Sequence, residues 1–176
     1  FEEIWWFVPK AGDTNPTRLI IFKPLTGHFS VFDMERTVFV DAFSYIGSPY
    51  ALNSDGTLIY HERGNDDDNM PMEAYVTFGE IELKTAQDPD GTQLMLMRQF
   101  IPNITTTGEV EIEISTRKEP NDSPVVKGPF TVTQATRKFS VRARGRQAGI
   151  TFRSVDLGNA WHLGRNRVRV QPDGFR

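Results

Sequence analysis

From Glu109 to Ile114 the chain alternates carboxylate and aliphatic residues without a break, Glu-Val-Glu-Ile-Glu-Ile. A repeat of two places all three acids on one side of an extended strand and Val110, Ile112 and Ile114 on the other. On a helix the same residues would scatter around the axis. The stretch 138–144, Lys-Phe-Ser-Val-Arg-Ala-Arg, repeats the pattern, with Phe139, Val141 and Ala143 facing inward and Lys138, Arg142 and Arg144 outward. Arg167 and Arg169 alternate in the same way with Val168 and Val170. Nowhere do apolar residues hold the i, i+3, i+4, i+7 spacing over the length a helix needs, so the chain is expected to be all-β.

Short apolar bursts separated by Gly, Pro, Asn and Asp divide the chain further. Before residue 65 the expected strands are Glu3 to Val8, Arg18 to Lys23, Phe29 to Met34, Val38 to Phe43 and Thr57 to Glu62. Gly12-Asp13 with Asn15-Pro16, Thr26-Gly27 and Asn53-Ser54-Asp55-Gly56 supply the turns between them. The aromatic content of these strands predicts propeller-like blade strands over 1–64. The run Asn65-Asp66-Asp67-Asp68-Asn69 cannot bury apolar surface and repels itself, so 65–72 reads as an acidic linker. Over 73–176 the expected strands are Glu73 to Leu83, Leu94 to Pro102, Glu109 to Thr116, Phe130 to Val132, Arg137 to Arg144, Ala148 to Ser154, Ala160 to Leu163 and Arg167 to Gln171. That density suits an antiparallel β-sandwich-like domain.

Charge is strongly polarised along the chain. Residues 137–176 hold ten Lys or Arg against Asp156 and Asp173, a formal +8, while the preceding residues carry −11 and the whole chain −3. Arg142, Arg144, Arg146, Arg153, Arg165, Arg167 and Arg169 are the candidates for contact with a polyanion or with an acidic neighbour, and Glu109, Glu111 and Glu113 form the complementary acidic face. Three arrangements satisfy this pattern: an intramolecular ladder of acids against arginines on adjacent strands, a contact between subunits, and direct contact with DNA.

Chemistry of other kinds finds little footing. There is no cysteine, so disulfides, Cys-ligated metals and thiol nucleophiles are excluded. His28, His61 and His162 stand far apart in sequence with no metal-binding spacing between them, and Asp66-Asp67-Asp68 lacks the glycine and terminal glutamate of a calcium loop. Gly47-Ser48-Pro49 does not make a nucleophile elbow, and neither a phosphate-binding loop nor a dinucleotide fingerprint occurs. Asp88-Pro89-Asp90-Gly91 and Pro172-Asp173-Gly174 are turn sequences. Trp5, Trp6 and Trp161 lie in strand-like surroundings and are expected in the core, with stacking on sugar rings as the alternative. No apolar run approaches the ~20 residues that span a bilayer, and a soluble protein without cofactors is expected. The opening Phe-Glu-Glu-Ile-Trp-Trp runs directly into a strand and reads as a cut inside a longer parent.

An ordered set of strings carries a resemblance. It comprises Glu3-Ile4-Trp5-Trp6-Phe7-Val8-Pro9, Arg36-Thr37, Asp55-Gly56-Thr57-Leu58-Ile59-Tyr60-His61-Glu62 and Asp67-Asp68 ahead of Glu73-Ala74-Tyr75-Val76. Arg98-Gln99-Phe100-Ile101-Pro102, Thr116-Arg117, Val141-Arg142-Ala143-Arg144-Gly145-Arg146-Gln147, Trp161-His162-Leu163-Gly164 and Val170-Gln171-Pro172-Asp173-Gly174 complete it. Together these resemble the C-terminal part of short-tailed bacteriophage tail hub or nozzle proteins, also called tail tubular protein B or packaged DNA stabilisation proteins. The likeness departs at the Phe175-Arg176 ending, where two basic residues are expected. It implies a virion tail protein assembled in the bacterial host cytoplasm, non-enzymatic, forming a homo-oligomeric ring of six copies below portal and adaptor proteins. Tail fibre or needle proteins are implied as further partners, with transient non-specific DNA contact and no membrane insertion. The alternatives are a carbohydrate-binding β module of a tail fibre or adhesin and, less directly, a β-fold glycosidase.

Overall fold

The computed structural model describes residues 2–42, 45, 47–67 and 69–174, and all regular structure among them is β. The chain divides into two compact units, Phe1–Gly64 and Asn65–Arg176.

In the first unit β1 (Ile4–Val8), β2 (Arg18–Lys23) and β3 (His28–Asp33) form one antiparallel sheet, while β4 (Val38–Val40), β5 (Tyr50–Leu52) and β6 (Leu58–Tyr60) form another. An aromatic cluster joins the two: Trp5 and Phe7 lie 5.6 and 4.9 Å from Phe39 between ring centroids, and His61 meets Trp5 edge-on at 5.9 Å. Buried Arg36 donates from Nε to His61 Nε2 at 3.1 Å and from Nη1 to Asn53 Oδ1 at 2.9 Å, so a guanidinium ties the turn after β5 to the end of β6. The opposite face of the first sheet is also apolar. There Trp6 stacks on Phe22 at 6.4 Å and Phe22 on Phe29 at 4.6 Å, with Trp6 and Phe29 exposed. Tyr50–Leu52 was not expected as a strand, because three residues are too few to display an alternation. Phe43, the expected end of β4, lies outside the described residues.

The second unit opens differently from its sequence expectation. Asp66–Asp67 (β7) and Met70–Pro71 (β8) pair as a small hairpin within 65–72, and the Asp66 carboxylate accepts from the Gly158 backbone N–H; Asp68 lies outside the described residues. Then follow β9 (Ala74–Glu82), β10 (Met95–Ile101), β11 (Ile104–Thr106), β12 (Val110–Arg117), β13 (Val125–Val132), β14 (Phe139–Gly145), β15 (Gln147–Ser154), β16 (Trp161–Leu163) and β17 (Arg167–Pro172). One sheet has the order β13-β12-β15-β9, a second β14-β10-β17, and β11 pairs with β16. Met97, Phe100, Val141 and Ala143 from the second sheet share a single buried core with Val110, Ile112, Ile114, Ala148 and Phe152 from the first. Phe100 sits 5.3 Å from Phe139 and 6.1 Å from Phe152, so aromatic contact runs through this core. The two sheets therefore meet face to face, and each turns an outer face to solvent.

Val125–Val132 extends well before the expected strand start at Phe130, because Gly128-Pro129 breaks the apolar pattern of an edge strand where a missing donor is tolerated. In the loop before β10, Asp88 is buried and accepts from Gln93 N at 2.6 Å and Thr92 Oγ1 at 2.9 Å. Burial pushes its carboxyl up, but the N–H groups of Thr92 and Gln93 and the Thr92 hydroxyl outweigh that and hold it below the usual aspartate value. A carboxyl held low in the folded state stabilises above its unfolded value, near 4, and that contribution is lost as pH falls through the lower folded value. Acid titration of unfolding is accordingly expected to be shallower in Asp88→Asn than in the unchanged chain, with the variant less stable at neutral pH. Parallel acid curves would remove Asp88 from this role.

Candidate functional site

The outer face of the sheet β14-β10-β17 gathers arginines from three strands. Alternation in β14 buries Val141, Ala143 and Gly145 and turns Arg142 and Arg144 outward; in β17, Val168 and Val170 point inward and Arg167 and Arg169 outward. The middle strand adds Arg98. Met97 and Phe100 are both fully buried although three positions apart, which a strand achieves only by inserting a bulge. The bulge occurs between Met97 and Gln99 against both neighbours, and it turns Arg98 and Gln99 together toward solvent. Across from it Arg142 adopts left-handed backbone with φ 53°, which costs an arginine about 1 kcal/mol and marks the bulge on β14.

Register places these side chains in rows. Arg144 lies opposite Leu96 and Leu96 opposite Gln171; Ser140 lies opposite Gln99 and Gln99 opposite Arg169; Ile101 lies opposite Arg167. Between the strands runs a shallow groove of about 270 Å³ lined by Arg98, Gln99, Ser140, Arg169 and Gln171. Every one of these can donate hydrogen bonds, and none is acidic, so the groove suits an oxyanion such as carboxylate or phosphate. Arg144 donates to the Asp173 carboxylate and to the Asp173 carbonyl at 3.0 Å. Arg98, Arg142, Arg167 and Arg169 have no carboxylate partner among the described residues.

The other expected arginines serve elsewhere. Arg146 sits half-buried where the chain crosses between sheets, its guanidinium bound to the Glu119 carboxylate. Arg153 projects from the outer face of the other sheet and pairs with Glu73 at 3.2 Å. Arg165 is exposed in the connection between β16 and β17 and has no partner among the described residues. Of the seven expected positions, the fold thus brings four onto one face: Arg142, Arg144, Arg167 and Arg169.

Glu109, Glu111 and Glu113 face outward on or just before β12, in the sheet opposite the arginine face. The intramolecular ladder does not form, because the acid row and the main arginine rows stand on opposite outer faces of two packed sheets. The nearest approach to it is Glu111 opposite Arg153 in the β12–β15 register, where Arg153 is engaged by Glu73. Arg117 meets Glu80 at 3.2 Å on this sheet. Glu109, Glu111 and Glu113 make no ion pair among the described residues.

In the first unit a cavity of about 450 Å³ is lined by Glu3, Ile4, Trp5, Phe39, Asp41, Ala42, Pro49 and Glu62. Glu3 accepts from the Trp5 indole N–H at 3.2 Å and from Lys23 Nζ at 3.3 Å, which together hold its carboxyl below the usual glutamate value despite some desolvation. A glycosidase acid needs the opposite shift, so Glu3 is not poised to donate a proton. No protein-family model matches this chain, and a search of curated proteins finds no match either.

Proposed function

We propose that this protein is a non-enzymatic structural component of a bacteriophage tail, a subunit of a hub or nozzle ring that retains packaged DNA and forms part of the conduit for its ejection. The observation that carries this reading is the arginine face. Arg98, Arg142, Arg167 and Arg169 share one sheet surface and have no carboxylate partner among the described residues, which leaves a basic surface for a neighbour. The ordered strings from Glu3-Ile4-Trp5-Trp6 to Pro172-Asp173-Gly174 support the tail assignment by resemblance. On this reading the first unit supplies terminal propeller-blade strands and the second a sandwich-like C-terminal domain. The ring has six copies, meets portal, adaptor and fibre or needle proteins, and resides in the virion after assembly in the host cytoplasm. DNA that must move cannot be held on a continuous arginine lining, so the basic face works chiefly between proteins.

A second reading has its own observation. The exposed stack Trp6–Phe22–Phe29 offers a row of aromatic faces of the kind that binds sugar rings, which favours a carbohydrate-binding module. Negative-stain electron microscopy of the protein co-expressed with the product of the gene immediately upstream separates the two. Rings with a central channel are the expected result. Monodisperse particles that never associate would overturn the tail reading and leave glycan binding in its place.

A further inference from the structure

The basic and acidic outer faces belong to the same unit and lie on opposite sides of it. A contact with two-fold symmetry sets each face against itself, arginine on arginine or glutamate on glutamate, and repels. Complementary contact between copies is therefore head-to-tail. We infer that the arginine face of one copy, centred on Arg98, Arg167 and Arg169, seats on the Glu109, Glu111 and Glu113 row of the next. This rests on the ring reading above and names the surfaces that would build it.

The spacing agrees with the charge. Both rows run along strands with successive outward side chains roughly 7 Å apart, so Glu111 and Glu113 match Arg167 and Arg169 one to one. Guanidinium and carboxylate groups at that repeat can form parallel charge-assisted hydrogen bonds. Gln99, Ser140 and Gln171 supply further donors around the groove, where a glutamate carboxylate can enter. The local exceptions are accounted for within the chain: Asp173 is held by Arg144 on the basic face, while Arg153 and Arg117 are held by Glu73 and Glu80 on the acidic one. Among the described residues, what remains unpaired in the two rows is cationic on one side and anionic on the other, which favours a second copy over nucleic acid as the occupant.

Two double variants test this by complementation. Arg167→Glu with Arg169→Glu reverses the charge of the arginine row on β17, and Glu111→Arg with Glu113→Arg reverses that of the acid row on β12. Sedimentation velocity at low salt should find concentration-dependent association for the unchanged chain and about a hundredfold weaker association for either variant alone. An equimolar mixture should restore it, because each variant then presents the face the other lacks. Restoration also shows that both variants are folded.

Variants that associate like the unchanged chain, a mixture that stays monomeric, or an unchanged chain that never associates would each overturn the pairing. So would loss of binding to a 20-base-pair DNA duplex in the arginine variant with its self-association intact. Complementation that builds open filaments and no closed rings would uphold the pairing while removing the conduit reading.

Discussion

Phe100→Ala should lower the unfolding free energy of the second unit by about 3–5 kcal/mol, a large share of the ~5–15 kcal/mol that holds a typical domain together. Phe100 is fully buried and bridges the two sheets, with its ring against Phe139 on one side and Phe152 on the other. Truncation removes both aromatic contacts and leaves a cavity, because Met97, Ile112 and Val141 are themselves fixed by strand pairing and cannot collapse into it. Phe78→Ala supplies the comparison. Its ring touches Phe152 edge-on at 5.7 Å but is 47% exposed in the middle of the edge strand β9, so about 1 kcal/mol is expected. Urea unfolding of the two variants decides the matter, and equal losses would mean that Phe100 does not bridge the layers.

The phase of most strands was legible because one side of each is buried. The Glu109 to Ile114 alternation predicted a strand whose apolar side is core, and Val110, Ile112 and Ile114 are all fully buried. Arg18–Lys23 was bounded correctly, and the strand around Phe139 differs from its expected limits by only a few residues. Less was legible wherever alternation is too short or is interrupted. Ile104–Thr106 has only three residues, and its pairing with Trp161–Leu163 depends on a long-range contact that no local pattern encodes. The acidic run at 66–67 looked like a solvated linker, yet the Gly158 N–H gives Asp66 a partner some ninety residues away. Charge repulsion predicts exposure, and these aspartates are exposed; it does not predict the absence of pairing.

The candidate face was legible in part for the same reason. Outward arginines on β14 and β17 follow from period-two alternation, but their position on either side of β10 depends on strand order, which the sequence leaves open. Arg98 was missed as a site residue. Counting by twos from Met97 assigns position 99 to the core, and only the bulge transfers the inward position to Phe100 and releases Arg98 and Gln99 outward. The spacing of Met95, Met97 and Phe100 held the clue, since three large apolar residues in one strand share a face only if the phase slips once. The acid row faces outward, and of the three arrangements the sequence left open the ladder on an adjacent strand is the one that does not form, because the fold places the main arginine rows on the opposite sheet.

Gly145→Val should be the most damaging single change in the Arg144-Gly145-Arg146-Gln147 segment, more damaging than removal of either arginine. Here β14 ends in one sheet and β15 begins in the other, so the chain crosses the edge of the core within two residues. The crossing is held by the Arg146 N–H, which donates to the Arg117 carbonyl at 2.8 Å, and this brings Gly145 against β12. A Cβ at this position would lie 2.7 Å from the Arg117 carbonyl oxygen and 2.9 Å from Thr116 Cβ. The first clash is with backbone, which cannot rotate away as a side-chain tip would. Relief requires moving β14 off β12 and weakening the Arg146–Arg117 bond, with an expected loss of about 3 kcal/mol. Arg146→Ala keeps the backbone crossing and loses a half-exposed ion pair to Glu119, so about 1 kcal/mol or less is expected. Thermal unfolding of the two variants should therefore show a much larger drop in Tm for Gly145→Val. A reversed order would mean that the segment is held by its charges and that close backbone approach at Gly145 is incidental.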